Sequence, residues 1–292
     1  MNLETRGRLR FFKMTGTGND FILIDNRQRV IDADRCGDFV RSVCRRKVSA
    51  GADGVILVEN DPEVDFRWRF FNADGSEAEM CGNGARCAAR FAFLTGIVEA
   101  PRMEFRTLAG IVRAELLDTK VKVRMPLPHG QRMNVAAETG GRRFTLDFIN
   151  TGVPHAVCFV ASEEELDSLE VERWGRALRF HPEFLPAGTN ADFVWVRDPH
   201  HIAVRTYERG VEGETLACGT GCIAAVLTAA SRDRVESPVE VKVRSGETLT
   251  LHFREAAEGA DPGSRFGEVL LEGEARVAYE ADLWPETIAD GG

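Results

Sequence analysis

The chain carries one block twice. MCGNGARCAARFAFLTG begins at Met80 and ACGTGCIAAVLTAA at Ala217. Each reads a small or apolar residue, then Cys, Gly, a polar residue and Gly, then an apolar stretch. The two cysteines, Cys81 and Cys218, stand 137 positions apart (218 − 81). Three further pairs keep almost the same offset and order. AGADGVILV from Ala50 matches AGTNADFVWV from Ala187, TGTGNDFILI from Thr15 matches TGVPHAVCFV from Thr151, and RWRFFNADG around Asn72 matches AVRTYERG around Glu208. One match is chance; four in register argue for a duplicated fold with pseudo-twofold symmetry.

Local patterns agree between the copies. FILID, GVILVE, VDFRWRFF, ADFVWV and IAVRTY are short and rich in β-branched or aromatic residues, as strands are. AARFAFLT and CIAAVLTAA are apolar, free of proline and follow a Gly-rich turn, so each reads as a buried helix. A helix apolar all round needs cover on nearly every side. A curled sheet around it supplies that cover and makes each half a core of its own. The expected fold is α/β, with each half a curled, mostly antiparallel sheet around a central apolar helix. VKVRMPLPHGQRM, with Pro126 and Pro128, reads as the crossover between halves. ASEEELDSLEVERWGRAL reads as an acidic helical stretch, and the apolar-poor segment between 256 and 267 as a loop.

Composition narrows the function. With 43% apolar and 28% charged residues the balance is that of a soluble globular protein. A net charge of −9 gives no global attraction to nucleic acid or an anionic membrane. No apolar run approaches the roughly 18 residues of a membrane span, and the charged start MNLETRGRLRFFKM lacks a signal peptide's apolar stretch. The expectation is a cytoplasmic protein without membrane or nucleic-acid partners. Its 7 cysteines are an odd count without a CxxC, which argues against a disulfide scaffold or structural zinc. Cys36, Cys44, Cys87, Cys158 and Cys222 read as small buried hydrophobes.

Cys81 and Cys218 read differently. Cys-Gly-Asn-Gly and Cys-Gly-Thr-Gly each place a thiol where a turn enters a helix, beside unpaired amides and the positive end of the dipole. Both thiols are therefore expected below the usual thiol pKa, and the same amides can hold a carboxylate. Paired thiols suit stereochemical inversion: one thiolate takes a proton from a carbon and the other thiol delivers one to the opposite face. No Rossmann fingerprint, P-loop or metal motif competes, so neither cofactor nor metal is expected. Around them, Asn19, Asn72 and Asn190 can donate and accept. Glu208 can bind an ammonium and Arg209 a carboxylate. His155 stands in the second half where Asn19 stands in the first, and can orient or polarise a thiol. For each of these a turn, ion-pair or structural role is the alternative.

MTGTGNDF, AGADG, FNADGSEAEMCGNGARC, NTGVPH, AGTNADF, YERGVEGETLACGTG and EGEARVAYEADL together resemble the diaminopimelate epimerase family, almost end to end. The resemblance implies conversion of LL-2,6-diaminopimelate to the meso form without cofactor or metal, for lysine and peptidoglycan synthesis, by a homodimer. It implies that Cys81 and Cys218 are the acid/base pair, and that Asn19, Asn72, Asn190, Glu208 and Arg209 grip the amino acid. It implies that Gly82, Asn83, Gly219 and Thr220 receive its carboxylates. It also implies a first half of residues 1–125 plus 275–284, a second half of 126–274, and an active site in the cleft between them. The chain departs from the family at Val153, where Gly-Asn-Pro-His is frequent, at Thr15 in place of histidine, and at Gly54 in place of glutamine. Asn150 can compensate for Val153. Other readings are a cofactor-free racemase of proline, hydroxyproline or glutamate, whose second motif runs Asp-Arg-x-x-Cys-Gly-Thr-Gly instead, an isomerase of this fold without the cysteines, and a binding protein without catalysis.

Overall fold

The computed structural model describes residues 8–256 and 265–287. Much of the segment read as a loop between 256 and 267 lies outside the described residues, as does the start of the charged N-terminus. The chain divides into two compact units. One holds the residues up to Val123 with those from Glu274 onward, the other Arg124–Gly273. The division falls beside the Pro126–Pro128 crossover.

In the first unit β1 (Leu9–Gly16) pairs antiparallel with β2 (Asn19–Asp25). The chain crosses through α1 (Cys36–Val43) to β3 (Gly54–Glu59), parallel to β2. β4 (Phe66–Asn72) returns antiparallel, joined by short β5 (Glu77–Ala78). After α2 (Gly82–Leu94) come β6 (Arg102–Thr107), parallel to β4, then β7 (Gly110–Leu117) and β8 (Lys120–Arg124) in antiparallel succession. The last strand, Arg276–Leu283, returns to pair antiparallel with β1.

The second unit repeats this order. β9 (His129–Thr139) flanks β10 (Arg142–Asn150) as the returning strand flanks β1. β11 (Pro154–Phe159) is antiparallel to β10. The crossover holds α3 (Glu163–Ser168) and α4 (Val171–Arg179) before β12 (Asn190–Asp198), parallel to β11. β13 (His201–Glu208) and β14 (Gly213–Thr215) follow antiparallel. After α5 (Gly219–Ala230) come β15 (Val239–Lys242), parallel to β13, then antiparallel β16 (Thr248–Glu255) and β17 (Phe266–Glu274).

The helices explain the curl. Every residue of α5 from Gly221 to Ala230 is buried, so no face is left for water. It packs on β10, β11, β12, β13 and β16, while α2 packs on β1, β2, β3 and β7, the equivalent strands. Each fully buried Ile, Val or Leu contributes roughly 1.5–3 kcal/mol. The strands are covered on both faces. In β3, Val55 and Leu57 join Phe39, Val40 and Val43 of α1 in one cluster, whereas Ile56 points to the start of α2, its Cδ1 lying 3.2 Å from where a Cβ on Gly84 would stand. That is why GVILVE reads as a continuous apolar run rather than an alternation.

The acidic stretch is two helices rather than one. Ser162 caps α3, its Oγ accepting from Glu165 N at 3.1 Å, while Glu165 Oε2 accepts from Ala161 N at 2.8 Å. The far end stops because Arg205 gathers its carbonyls. Nη1 donates to Leu166 O, Asp167 O and Leu169 O at 2.7, 3.0 and 3.2 Å. Glu214 holds the same guanidinium bidentately at 2.7 and 2.9 Å. A tertiary side chain thus ends a helix whose local sequence would continue it.

α4 lies against Tyr207 through Gly175, where an added Cβ would stand 2.2 Å from Tyr207 Cβ. Both atoms are fixed by backbone, so no rotamer relieves the overlap. Gly175→Ala is expected to destabilise the protein by about 1–3 kcal/mol, although alanine is worth about 1 kcal/mol more than glycine in a helix interior. Urea unfolding followed by circular dichroism measures the sign; a stabilised variant would mean the helix shifts freely.

Candidate active site

At the start of α2, Cys81 is the N-cap residue, extended at φ −145°, and its Sγ accepts from Gly84 N at 3.4 Å. The thiol is half-buried. Asn83, in the first turn, is buried and held at both ends. Its Oδ1 accepts from Arg86 Nη2 at 2.8 Å, and its Nδ2 donates to Thr17 O at 3.1 Å and to Asn19 Oδ1 at 2.8 Å. Asn19 Nδ2 donates in turn to Asp53 Oδ2 at 3.0 Å. A guanidinium only donates, so Arg86 fixes which end of Asn83 is oxygen, and Asn83 fixes the same for Asn19. Arg86 is fully buried and reaches Thr17 Oγ1 at 3.0 Å. Gly16 lets β1 approach: a Cβ there would stand 2.8 Å from Asn83 O. Beyond Asp53, Arg46 bridges Asp53 and Asp20 at 2.7 and 2.6 Å, and Lys13 reaches Asp20 at 2.8 Å. Burial opposes the Asp20 charge, but the bonds from Arg46 and Lys13 outweigh it and hold the carboxyl below its usual range.

At the start of α5, Cys218 is also an extended N-cap, φ −123°, but its thiol makes no cap bond. It is buried, with Sγ 3.4 Å from Thr220 Oγ1. Thr220 O accepts from Thr151 Oγ1 at 3.1 Å. Beneath the turn lies a polar group. His155 Nδ1 and Asp192 Oδ2 are 2.7 Å apart, both side chains fully buried. Asp192 Oδ1 accepts from Thr206 Oγ1 at 2.7 Å. Glu208 is mostly buried, and burial pushes its carboxyl up, with the charge of Asp192 acting the same way and that of His155 opposing it.

The two thiol sites are not the same, and the expectation of two lowered thiols fails at Cys218. Burial pushes this thiol well above its ordinary range, and the charges of Glu208 and Asp192 push the same way; Thr220 and the Gly221 amide pull back without prevailing. Magnitudes explain the order. A helix terminus is worth roughly 0.3–1 kcal/mol, less than one pKa unit, whereas full burial moves a thiol by several. Burial likewise pushes Cys44 and Cys87 up to about 12 and Cys158 to about 11, and raises Cys36, as small buried thiols should behave.

The remaining expected residues fall at the same two helix heads. Gly82 and Gly219 open α2 and α5. Asn72 ends β4, exposed, with Nδ2 donating to Ser76 Oγ at 3.2 Å. Asn190 is buried and its side chain serves the backbone, donating to Pro154 O at 2.8 Å and accepting from Arg209 N at 2.7 Å. Arg209 Nη1 donates to Ala187 O at 3.1 Å. Val153 sits in a turn where Asn150 Oδ1 accepts from Gly152 N at 2.9 Å, so that oxygen is engaged locally. Among the described residues no group of three or more His, Cys, Asp or Glu side chains is placed to hold a metal ion. Arg86, Asp53, Asp192 and Thr206 were not singled out from the sequence. A charged residue inside an apolar run, as in ADFVWV and GARCAA, is the signal that marks Asp192 and Arg86.

Two units of like topology, each presenting a cysteine at the head of a buried helix, define a duplicated α/β fold. Solved structures share it. A phenazine biosynthesis protein of the PhzF family from Bacillus anthracis superposes with a TM-score of 0.71 at 14% identity, covering 95% of this chain and 99% of that one. A probable proline racemase from Agrobacterium radiobacter K84 gives 0.68 at 18%, covering 96% and 95%. At these identities the likeness is one of fold. The diaminopimelate epimerase family pattern matches residues 11–128 and 148–260. The diaminopimelate epimerase of Aquifex aeolicus is 44% identical over 96% of this chain and 99% of its own length. That of a Hydrogenobaculum species is 47% identical over 93% and 97%. The chain belongs to the diaminopimelate epimerase family and is an amino-acid epimerase.

Replacing Glu208 by Gln removes a charge that raises the Cys218 thiol. The Cys218 titration, followed by the 13Cβ shift of labelled cysteine, is expected to move to lower pH in Glu208→Gln. An unmoved or rising midpoint would show that burial alone sets it.

Proposed function

We propose that this protein converts LL-2,6-diaminopimelate to meso-2,6-diaminopimelate with Cys81 and Cys218 as the acid/base pair and without a cofactor. The observation that carries the reading is the pair of extended N-cap cysteines at the heads of equivalent buried helices, in a chain of this family. The reaction needs one thiolate to take the α-proton and one thiol to protonate the other face. Cys218, held toward its protonated form, suits the donor for one direction of the reaction. Half-buried Cys81, with the Gly84 amide on its sulfur, suits the acceptor. For the opposite epimer the roles exchange.

Substrate grip follows from the donors at each head. The free amides of the first turns of α2 and α5, at Gly82, Asn83, Gly219 and Thr220, suit carboxylates. Glu208 suits an ammonium and Arg209 a carboxylate, while Asn19, Asn72 and Asn190 orient their neighbours or the ligand. The developing carbanion has to be stabilised by these fixed donors in a site that excludes water. A cytoplasmic homodimer acting in lysine and peptidoglycan synthesis completes the reading.

Incubation with LL-diaminopimelate in deuterated, reducing buffer, followed by NMR at the α-position, tests it. Wild type is expected to form the meso isomer with deuterium at the inverted carbon. Cys81→Ser and Cys218→Ser are each expected to lose at least about 100-fold in kcat, the scale of a positioned acid or base. A wild type that inverts proline or glutamate instead would overturn the substrate, and an active Cys→Ser variant would overturn the two-thiol chemistry.

A further inference from the structure

The heads of the two helices rest on different floors. Under Gly84 of α2 the nearest atoms to an added Cβ belong to Ile56, at 3.2 Å, and Trp68, at 3.4 Å. Under Gly221 of α5 they belong to Asp192, at 2.4 Å, and Thr206, at 3.0 Å. The glycines occupy equivalent places in Cys-Gly-Asn-Gly and Cys-Gly-Thr-Gly. One unit therefore folds with an apolar floor at this point, and the other buries a carboxylate, a hydroxyl and an imidazole there. Fold stability does not ask for the polar floor, because burying a charge costs more than packing a hydrophobe of similar size.

The polar floor is directional. Both oxygens of Asp192 are engaged, Oδ1 by the Thr206 hydroxyl and Oδ2 by His155 Nδ1. The opposite ring nitrogen, His155 Nε2, is buried and has no hydrogen-bond partner. Glu208 of β13 senses the charges of His155 and Asp192, and Cys218 senses Asp192.

We propose that Asp192 is a positioning residue: as a carboxylate held by Thr206 it accepts the Nδ1 hydrogen of His155, fixes that tautomer, and leaves the buried Nε2 as a bare acceptor. Gly221 is the companion feature, since any side chain there would strike Asp192 Oδ1. The place of this device in turnover rests on the epimerase reading above; the state of the ring does not.

Nitrogen-15 NMR of the histidine rings reads the tautomer directly. In substrate-free wild type at neutral or mildly alkaline pH, His155 is expected to show a protonated Nδ1 and a bare Nε2. Asp192→Asn is expected to change that pattern and to shift the Cys218 13Cβ titration downward, since one charge that raises the thiol is gone. Thr206→Val keeps the carboxylate and is expected to keep the wild-type tautomer. With LL-diaminopimelate, Asp192→Asn is expected to lose about tenfold or more in kcat with KM nearly unchanged, a fraction of what acid–base groups supply. A bare Nδ1 in wild type, ring signals indifferent to Asp192→Asn, or a changed tautomer with full kcat would each overturn the proposal. If wild type fails to turn over this substrate while its ring behaves as expected, the substrate reading falls and the tautomer assignment stands.

Discussion

A helix with no polar side governs this structure. CIAAVLTAA offers water nothing, so β10 to β13 and β16 have to close over it, and the first unit closes over α2 in the same manner. Once the body of a helix is enclosed, its first turn is the place where backbone amides remain unbonded within the helix. A residue at that N-cap is fixed by the packing of the whole unit rather than by a flexible loop. Cys81 and Cys218 occupy this position, and their extended backbones aim the thiols across the first turn. Rigid placement of a reacting group is what proton transfer at carbon requires.

Duplication supplied that frame twice, and sequence divergence made the two frames unequal. At α2 the polar network runs sideways, from Arg86 through Asn83 and Asn19 to Asp53, and ends in the Arg46–Asp20–Lys13 cluster. Each bond in it settles which way an amide faces. At α5 the network runs underneath, through His155, Asp192 and Thr206. The first arrangement leaves Cys81 half-buried, while the second accompanies a Cys218 that is buried among carboxylates. The same motif thus serves two different electrostatic settings.

The sequence made the frame legible because repetition and apolar runs survive without coordinates. The strands FILID, GVILVE and IAVRTY, the two buried helices and the cysteines at their heads could all be read from residue order. The direction of the Cys218 shift could not. The helix-end argument is local and visible in Cys-Gly-Thr-Gly, whereas burial and the approach of Glu208 and Asp192 arise from strands 26 and 10 positions away (218 − 192 and 218 − 208). The break between α3 and α4 was hidden for the same reason, since Arg205 reaches it from β13. Asn190 shows a related limit: its amide looked available to a ligand, yet Pro154 and Arg209 backbone groups engage both of its ends.

The inequality of the thiols bears on the proposed reaction. Inversion needs one thiol and one thiolate at the start of each turnover. Two thiols of equal, independent affinity would carry a single proton in at most about half of the molecules, divided evenly between the two arrangements. Raising one thiol moves that population into a single arrangement, which favours one epimer as the substrate. The opposite epimer needs the swapped arrangement, and each pKa unit of separation costs it about 1.4 kcal/mol. A reversible enzyme therefore gains from a separation large enough to populate the singly protonated state and small enough to leave the return direction open. Burial sets the larger part of the shift at Cys218. Neighbouring charges adjust it further, and those beside Cys218 come from two different strands: Asp192 on β12 and Glu208 on β13. Polar side chains buried beneath the Cys218 turn, in a place where the sister unit keeps isoleucine and tryptophan, are suited to setting that separation.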